Sequence, residues 1–167
     1  MYKLIGAVLI IGTSSLIGVK AAGELKRRAQ ELRRLSAALR LMSAEISDRL
    51  SPMREVMRIL SKNFGGETGR FCSLVENGMA EKGFSASWDE GVGAGLTCLH
   101  TDEKAVLYEL SSVLGQYDAG EQSRALSGAI ERTAQFARMA EEEVRIKSRL
   151  FVAAGMCAGV FAVTVLL

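Results

Sequence analysis

From Leu25 the apolar positions fall at Leu32, Leu35, Leu39, Met42, Ile46, Leu50, Met53, Met57, Leu60 and Phe64. After a first gap of seven, the steps alternate between three and four, with one pair of fours, which is the seam of a helix. Ser51-Pro52 interrupts that seam in the order of an N-cap and first helical residue. The pattern predicts a long helix to about Leu50, a tight turn or kink, and a shorter helix to Asn63, closed by Gly65-Gly66. Phe71, Leu74, Val75 and Met79 form the next face, which ends near Gly83. Ser87 with Glu90 has capping-box spacing and opens a helix through Trp88, Val92, Leu96 and Leu99. Thr101 is placed to cap a helix that buries Val106, Leu107, Leu110 and Leu114 and stops at Gly115. Asp118 with Glu121 opens the last helix, whose face runs through Leu126, Ile130, Ala137, Ala140 and Val144 toward Phe151. Only glycines could interrupt it after Gln122. No alternating β-branched run supports a sheet.

The two ends follow another rule. Leu4–Val19 is uncharged and bracketed by Lys3 and Lys20; from Leu150 to Leu167 the only polar side chain is Thr164. At about 1.5 Å per residue these runs reach about 24 and 27 Å, close to the hydrocarbon thickness of a bilayer. The sequence therefore predicts an N-terminal transmembrane segment over 1–22, a helical bundle over 23–149 and a C-terminal transmembrane segment over 150–167. Residues 20–40 carry seven basic side chains against Glu24 and Glu31, and Arg145, Lys147 and Arg149 precede the second run. Basic flanks stay in the cytoplasm, so both ends give one topology: a two-pass cell-membrane protein with its middle cytoplasmic. A poor small-residue pattern around Val19 and Ala21 argues against a cleaved signal peptide. Gly155 with Gly159, and Ser14 with Gly18 and Ala22, recur at four-residue spacing, which suits close helix packing in lipid, between the two anchors or between copies in a homo-oligomer.

Composition changes the picture only where chemistry is concerned. Of 167 residues, 21 are basic, 19 acidic and one is histidine, a net charge of +2. No overall field advertises nucleic acid, and the basic stretch from Lys26 to Arg34 has no interleaved aromatics. Lipid headgroups suit it better. His100 has no ligand-spaced companion, and Cys72, Cys98 and Cys157 fit no metal or redox motif and read as free thiols in a reducing compartment. Gly91, Gly93 and Gly95 form neither a dinucleotide nor a P-loop fingerprint and read as a loose or closely packed helix. Glu141 with Arg145 and Glu143 with Lys147 have ion-pair spacing. The expectation is no enzyme, cofactor, metal, small-molecule substrate or nucleic acid.

The order of features also resembles a known family. "YKLIGAVLII" near the start, "LRRLSAALRLMSAEI" over 32–46, Pro52-Met53, the lone Trp88, "LSSVLGQYD" over 110–118, Gln122 and the Gly/Ala-rich end resemble the stage III sporulation protein AB family of spore-forming Firmicutes. Leu35, Leu39, Glu45, Ile46, Pro52, Leu114, Gly115 and Asp118 are family-like; Ser43 and Met53 are mild departures. The resemblance implies a non-enzymatic component of a channel or feeding apparatus between mother cell and forespore, on the mother-cell side. It also implies a soluble region similar to the cytoplasmic domain of type II secretion platform proteins, docking a secretion-type ATPase. Arg33, Arg34, Glu45 and Asp118 combine charge with motif membership and are the candidate partner-binding residues, although Glu45 and Asp118 also suit local capping or pairing. Ser14, Gly18, Gly155 and Gly159 are the candidates for transmembrane helix packing. The alternative is a membrane-anchored helical signalling or adaptor protein without catalytic activity.

Overall fold

The computed structural model describes residues 2–114 and 119–166, with side chains described for 19–114, 120–147, 150, 153 and 157. The described chain is all helical: α1 (Tyr2–Ser47), α2 (Met53–Asn63), α3 (Gly66–Lys82), α4 (Phe84–Gly95), α5 (Thr101–Val113) and α6 (Ala119–Leu166). Each apolar end belongs to the same helix as its neighbouring bundle segment, and the last helix is continuous, as its sequence implies. Among the described residues, no helix is long and apolar enough to cross a membrane. The side chains of residues 2–18 and of most of 148–166, with Ser14, Gly18, Gly155 and Gly159, lie outside the described residues, as do Gly115 and Asp118.

Two compact units form. Unit 1 takes Met1–Ala29 with Arg138–Leu167, and unit 2 is Gln30–Ala137. Within unit 2, α2 packs on α3, α3 on α4 and α4 on α5. The seam residues Leu32, Leu35, Leu39, Met42, Met57 and Leu60 are buried, as are Phe71, Val75, Trp88, Val92, Leu96, Leu107, Leu114 and Leu126. Trp88 is completely enclosed, edge-on to Phe71 with ring centroids 4.9 Å apart, and donates its Nε1–H to the Leu107 carbonyl at 2.8 Å. α4 thereby touches α3 through its ring and α5 through its nitrogen. Gly91 and Gly95 allow the approach: a Cβ on Gly95 would lie 2.8 Å from Cα of Phe71, and one on Gly91 2.9 Å from Cγ2 of Val75. The glycine-rich helix is thus closely packed.

The helix joints differ from the sequence expectations. Pro52, not Ser51, sits at the N-cap of α2; the Ser51 hydroxyl donates instead to Oε2 of Glu45 at 3.2 Å. α4 opens at Phe84 rather than at Ser87. The reason is Gly83: its φ of 78° ends α3 and starts α4 in a single residue, and Ser87, inside the helix, donates its hydroxyl back to the Gly83 carbonyl at 2.7 Å. Residue 100, not Thr101, is the N-cap of α5. Leu50 and Leu74 are exposed, not part of the seam. α1 stops at Ser47, and the turn that follows needs a left-handed residue, which Leu50 supplies at φ 52°.

Candidate functional site

The surface of unit 2 is set by four glutamates that fold inward. Glu31 of α1 is 3 % exposed. Its Oε2 accepts the Thr68 N–H at 3.1 Å and the Thr68 hydroxyl at 3.0 Å, and its Oε1 accepts from Arg34 at 2.6 Å. Thr68 lies in the first turn of α3, whose N-cap, Gly65, has no side chain. A carboxylate from another helix therefore serves the free N–H groups and the positive end of that helix. Gly66, at φ 70°, is needed beside it, because a Cβ there would collide with the Glu31 carboxylate and the Arg34 guanidinium. Glu67 accepts the Thr97 hydroxyl at 2.7 Å and the Cys98 N–H at 2.9 Å, tying the α4–α5 connection to α3. Glu103 closes the start of α5 by accepting the His100 N–H at 2.7 Å. Glu45, 3 % exposed, accepts from Arg49 at 2.7 Å and from Ser51, while its carbonyl takes the Ser51 N–H at 3.1 Å. Among the described residues every fully buried side-chain nitrogen and oxygen is paired.

This geometry separates the candidates proposed from sequence. Glu45 is enclosed and holds the α1–α2 turn, the local role its sequence position also allowed. Arg34 is half-buried on Glu31. Arg33 is exposed, and Asp118 lies outside the described residues. What unites the exposed positions is a face that motif membership did not reveal. On α1, Gln30, Arg33, Ala37, Arg40, Ala44 and Ser47 point outward at helical spacing; on α2, Arg54, Arg58 and Lys62 do so. Both outward stripes are basic, the exposed residues of α1 over 30–47 having no acid among them. The signal that finds them is the complement of the seam: charged residues one to two positions off the apolar rows.

Between α5 and α6 lies a cleft of about 280 Å³, lined by Val106, Leu110, Val113, Ala125 and Ala129 and bordered by Gly128. Glu109 and Arg132 pair across its rim. In unit 1, Glu143 accepts from Arg28 at 2.9 Å and from Lys147 at 2.5 Å. The Lys147 ammonium holds the Glu143 carboxyl below its ordinary value; burial opposes it, and Arg28 adds to the lowering. The expected Glu143–Lys147 pair thus forms.

His100 is exposed at the start of α5, and among the described residues no group of acidic, histidine and cysteine side chains could hold a metal ion. Cys72 is buried, and burial pushes its thiol up to about 12.

Comparison with known proteins places these features. Residues 3–167 match the family model described as stage III sporulation protein AB. The chain is 23 % identical over 171 residues to stage III sporulation protein AB of Bacillus subtilis (strain 168), with all of both chains covered. A solved structure of a stage III sporulation protein AB (SpoIIIAB) superposes with a TM-score of 0.65 at 20 % identity, over 71 % of this chain and 96 % of that one. That likeness shows a shared fold.

Proposed function

Because the chain belongs to the stage III sporulation protein AB family, we propose that it acts in sporulation as a non-enzymatic membrane platform of a secretion-like channel complex between mother cell and forespore. One observation carries the membrane part: two uncharged runs, Leu4–Val19 and Leu150–Leu167, enclose a strongly charged helical middle. The basic residues that flank each run on the side of the middle support a cytoplasmic middle. Platform proteins hold other components and need surfaces rather than catalytic groups. The paired, inward-turned glutamates and the outward basic face of α1 and α2 fit that use. Docking of a secretion-type ATPase rests on the similarity expected between the family's soluble region and secretion platform proteins. Arg33 and Arg40 on the outward face of α1 are the residues that support such a contact best.

The test is a pull-down of tagged full-length protein from sporulating-cell membranes, with identification of co-purifying proteins and thiol accessibility from each side. Cys72 is a poor reporter because it is buried, so an exposed Ser123→Cys is the probe. Co-purification of a secretion-type ATPase, lost in Arg33→Glu/Arg40→Glu, supports the reading. Labelling of Ser123→Cys by an impermeant reagent from outside sealed cells inverts the topology and removes a cytoplasmic ATPase as partner.

A further inference from the structure

One face of α6 in unit 1 is apolar and uncovered. Met139, Ile146 and Leu150 are 50, 60 and 63 % exposed, and Ala153 and Cys157 are exposed as well. At about 100° per residue these positions fall within an arc of about 60°. Ala140 is buried and Val144 half-buried on another side of the helix, so the stripe is not the face that packs within the chain. Gly155 and Gly159 fall about half a turn away from it.

Lipid covers only part of this stripe. Leu150 begins the apolar run, and Met139 precedes it by about 16 Å at about 1.5 Å per residue. A headgroup layer is about 5–7 Å deep, so Met139 stands in water even with Leu150 at the edge of the hydrocarbon. A protein surface is what remains to cover it, and the charges beside the stripe say which. Arg138 and Glu142 line one flank, Glu143 and Lys147 the other. In a parallel helix pair each flank residue faces the one five positions further along on the opposite flank of its partner. Arg138 then meets Glu143 and Glu142 meets Lys147, opposite signs both times, and the two-fold axis repeats each pair. Glu143 already accepts from Arg28 and Lys147, but its side chain is 27 % exposed and that of Lys147 52 % exposed. A carboxylate has lone pairs for a third donor, and an ammonium has protons for a second acceptor. The stripe is complementary to itself.

We propose that α6 pairs in parallel with α6 of a second copy along Met139, Ile146, Leu150, Ala153 and Cys157, with Arg138–Glu143 and Glu142–Lys147 contacts between the copies. Such a contact is isologous and closes as a dimer. Its parallel sense rests on the membrane reading, because copies anchored in one bilayer share one orientation. It does not depend on ATPase docking, whose failure would leave it standing.

Cysteine cross-linking in isolated membranes tests it on the full-length chain. Two differently tagged copies carry Cys98→Ser and Cys157→Ser, with the same single cysteine introduced in both, and are oxidised with copper phenanthroline; Cys72 stays, since it is buried. Met139→Cys, Ile146→Cys and Leu150→Cys should each give at least fivefold more doubly tagged disulfide dimer than the exposed, off-stripe Glu141→Cys or Arg145→Cys. The Cys98→Ser chain that keeps Cys157 should dimerise like the first group. Adding Arg138→Glu to Ile146→Cys should lower its yield at least threefold, whereas Arg138→Lys should preserve it. Equal yields on and off the stripe, or no dimer at Met139→Cys, overturn the proposal. So does a Met139→Cys product joined to a different protein. Carbonate extraction separates this contact from the membrane reading. Release of the chain refutes the anchors and, with them, the parallel pair; a retained chain without the dimer refutes the contact alone. The substituted positions of α6 are exposed, so circular dichroism should show unchanged helicity.

Discussion

Replacing Glu31 by alanine tests how α3 is held. The substitution removes the acceptor of the Thr68 N–H and hydroxyl and the ionic partner of Arg34. A buried donor left without an acceptor costs about 1–3 kcal/mol. The hydroxyl can turn to the Glu31 carbonyl, 3.5 Å away, so the N–H is the group that loses most. Arg34 is about a third exposed, and its side of the pair contributes about 1 kcal/mol at most. Lost packing of the glutamate stem adds about 0.8 kcal/mol per buried methylene. The expected destabilisation is about 3–5 kcal/mol, the range for breaking a buried ionic network by removing one partner. That is a large share of the stability of an ordinary domain, about 5–15 kcal/mol. Trp88 makes the measurement direct: it is the sole tryptophan and is enclosed in unit 2, so its emission during urea unfolding reports this unit. Glu31→Gln keeps an oxygen for Thr68 but turns its amide toward Arg34, and should lose about 1–2 kcal/mol by the same reasoning. A double-mutant cycle with Thr68→Val should give a coupling above about 1 kcal/mol. A Glu31→Ala midpoint within about 0.5 kcal/mol of the parent, or strict additivity with Thr68→Val, would refute the account.

Other substitutions should change stability with predictable sign. Gly95→Ala forces a methyl against the α3 backbone at Phe71 and should destabilise by about 1–3 kcal/mol, whereas Gly93→Ala, whose nearest neighbour is the Tyr108 hydroxyl at 3.7 Å, should stabilise by about 0.5–1 kcal/mol through helix propensity; paired urea curves compare them. Leu50→Asn should raise stability by about 0.5–1 kcal/mol, because asparagine tolerates the left-handed backbone better; a loss in thermal unfolding would show that the leucine packs within its own chain. The Cys72 thiol should resist a maleimide in the native protein and react on unfolding, while Cys98, half-buried, reacts sooner. Because its folded pKa is raised from 9.0 to about 12, Cys72 leaves stability intact below about pH 9. Above that the unfolded chain loses the proton first, so the unfolding midpoint should fall as pH rises toward 12.

Much of the fold was legible because helical seams are periodic: Leu32 to Met42, Met57 with Leu60, Trp88 to Leu99 and Val106 to Leu114 lie buried where their spacing puts them. The joints were harder to read, because capping chemistry has competing solutions. Ser87 and Glu90 satisfy a capping pattern, but the left-handed Gly83 turns the chain earlier and leaves Ser87 inside α4. Leu50 continues the seam numerically, yet the helix has already ended. For the candidate surface, charge and motif membership selected Arg33, which is exposed, and Glu45, whose acceptors are used internally. The decisive partners of Glu31 and Glu67 lie 37 and 31 residues away, a pairing that no local pattern encodes. The glycines of α4 left a loose and a closely packed helix equally open in the sequence, and their contacts with Phe71 and Val75 decide for close packing.

That close packing limits how the bundle can move. Packed helices ordinarily accommodate a conformational change by sliding a little on their side chains. α3 and α4 have backbone almost against backbone at Phe71 and Gly95, and Gly83 alone joins them. A slide along this pair would drive Phe71 into the neighbouring, side-chain-bearing positions of α4. The pair should therefore travel as a rigid slab, and a displacement inside unit 2 must be taken up outside it, as in the turn around Leu50.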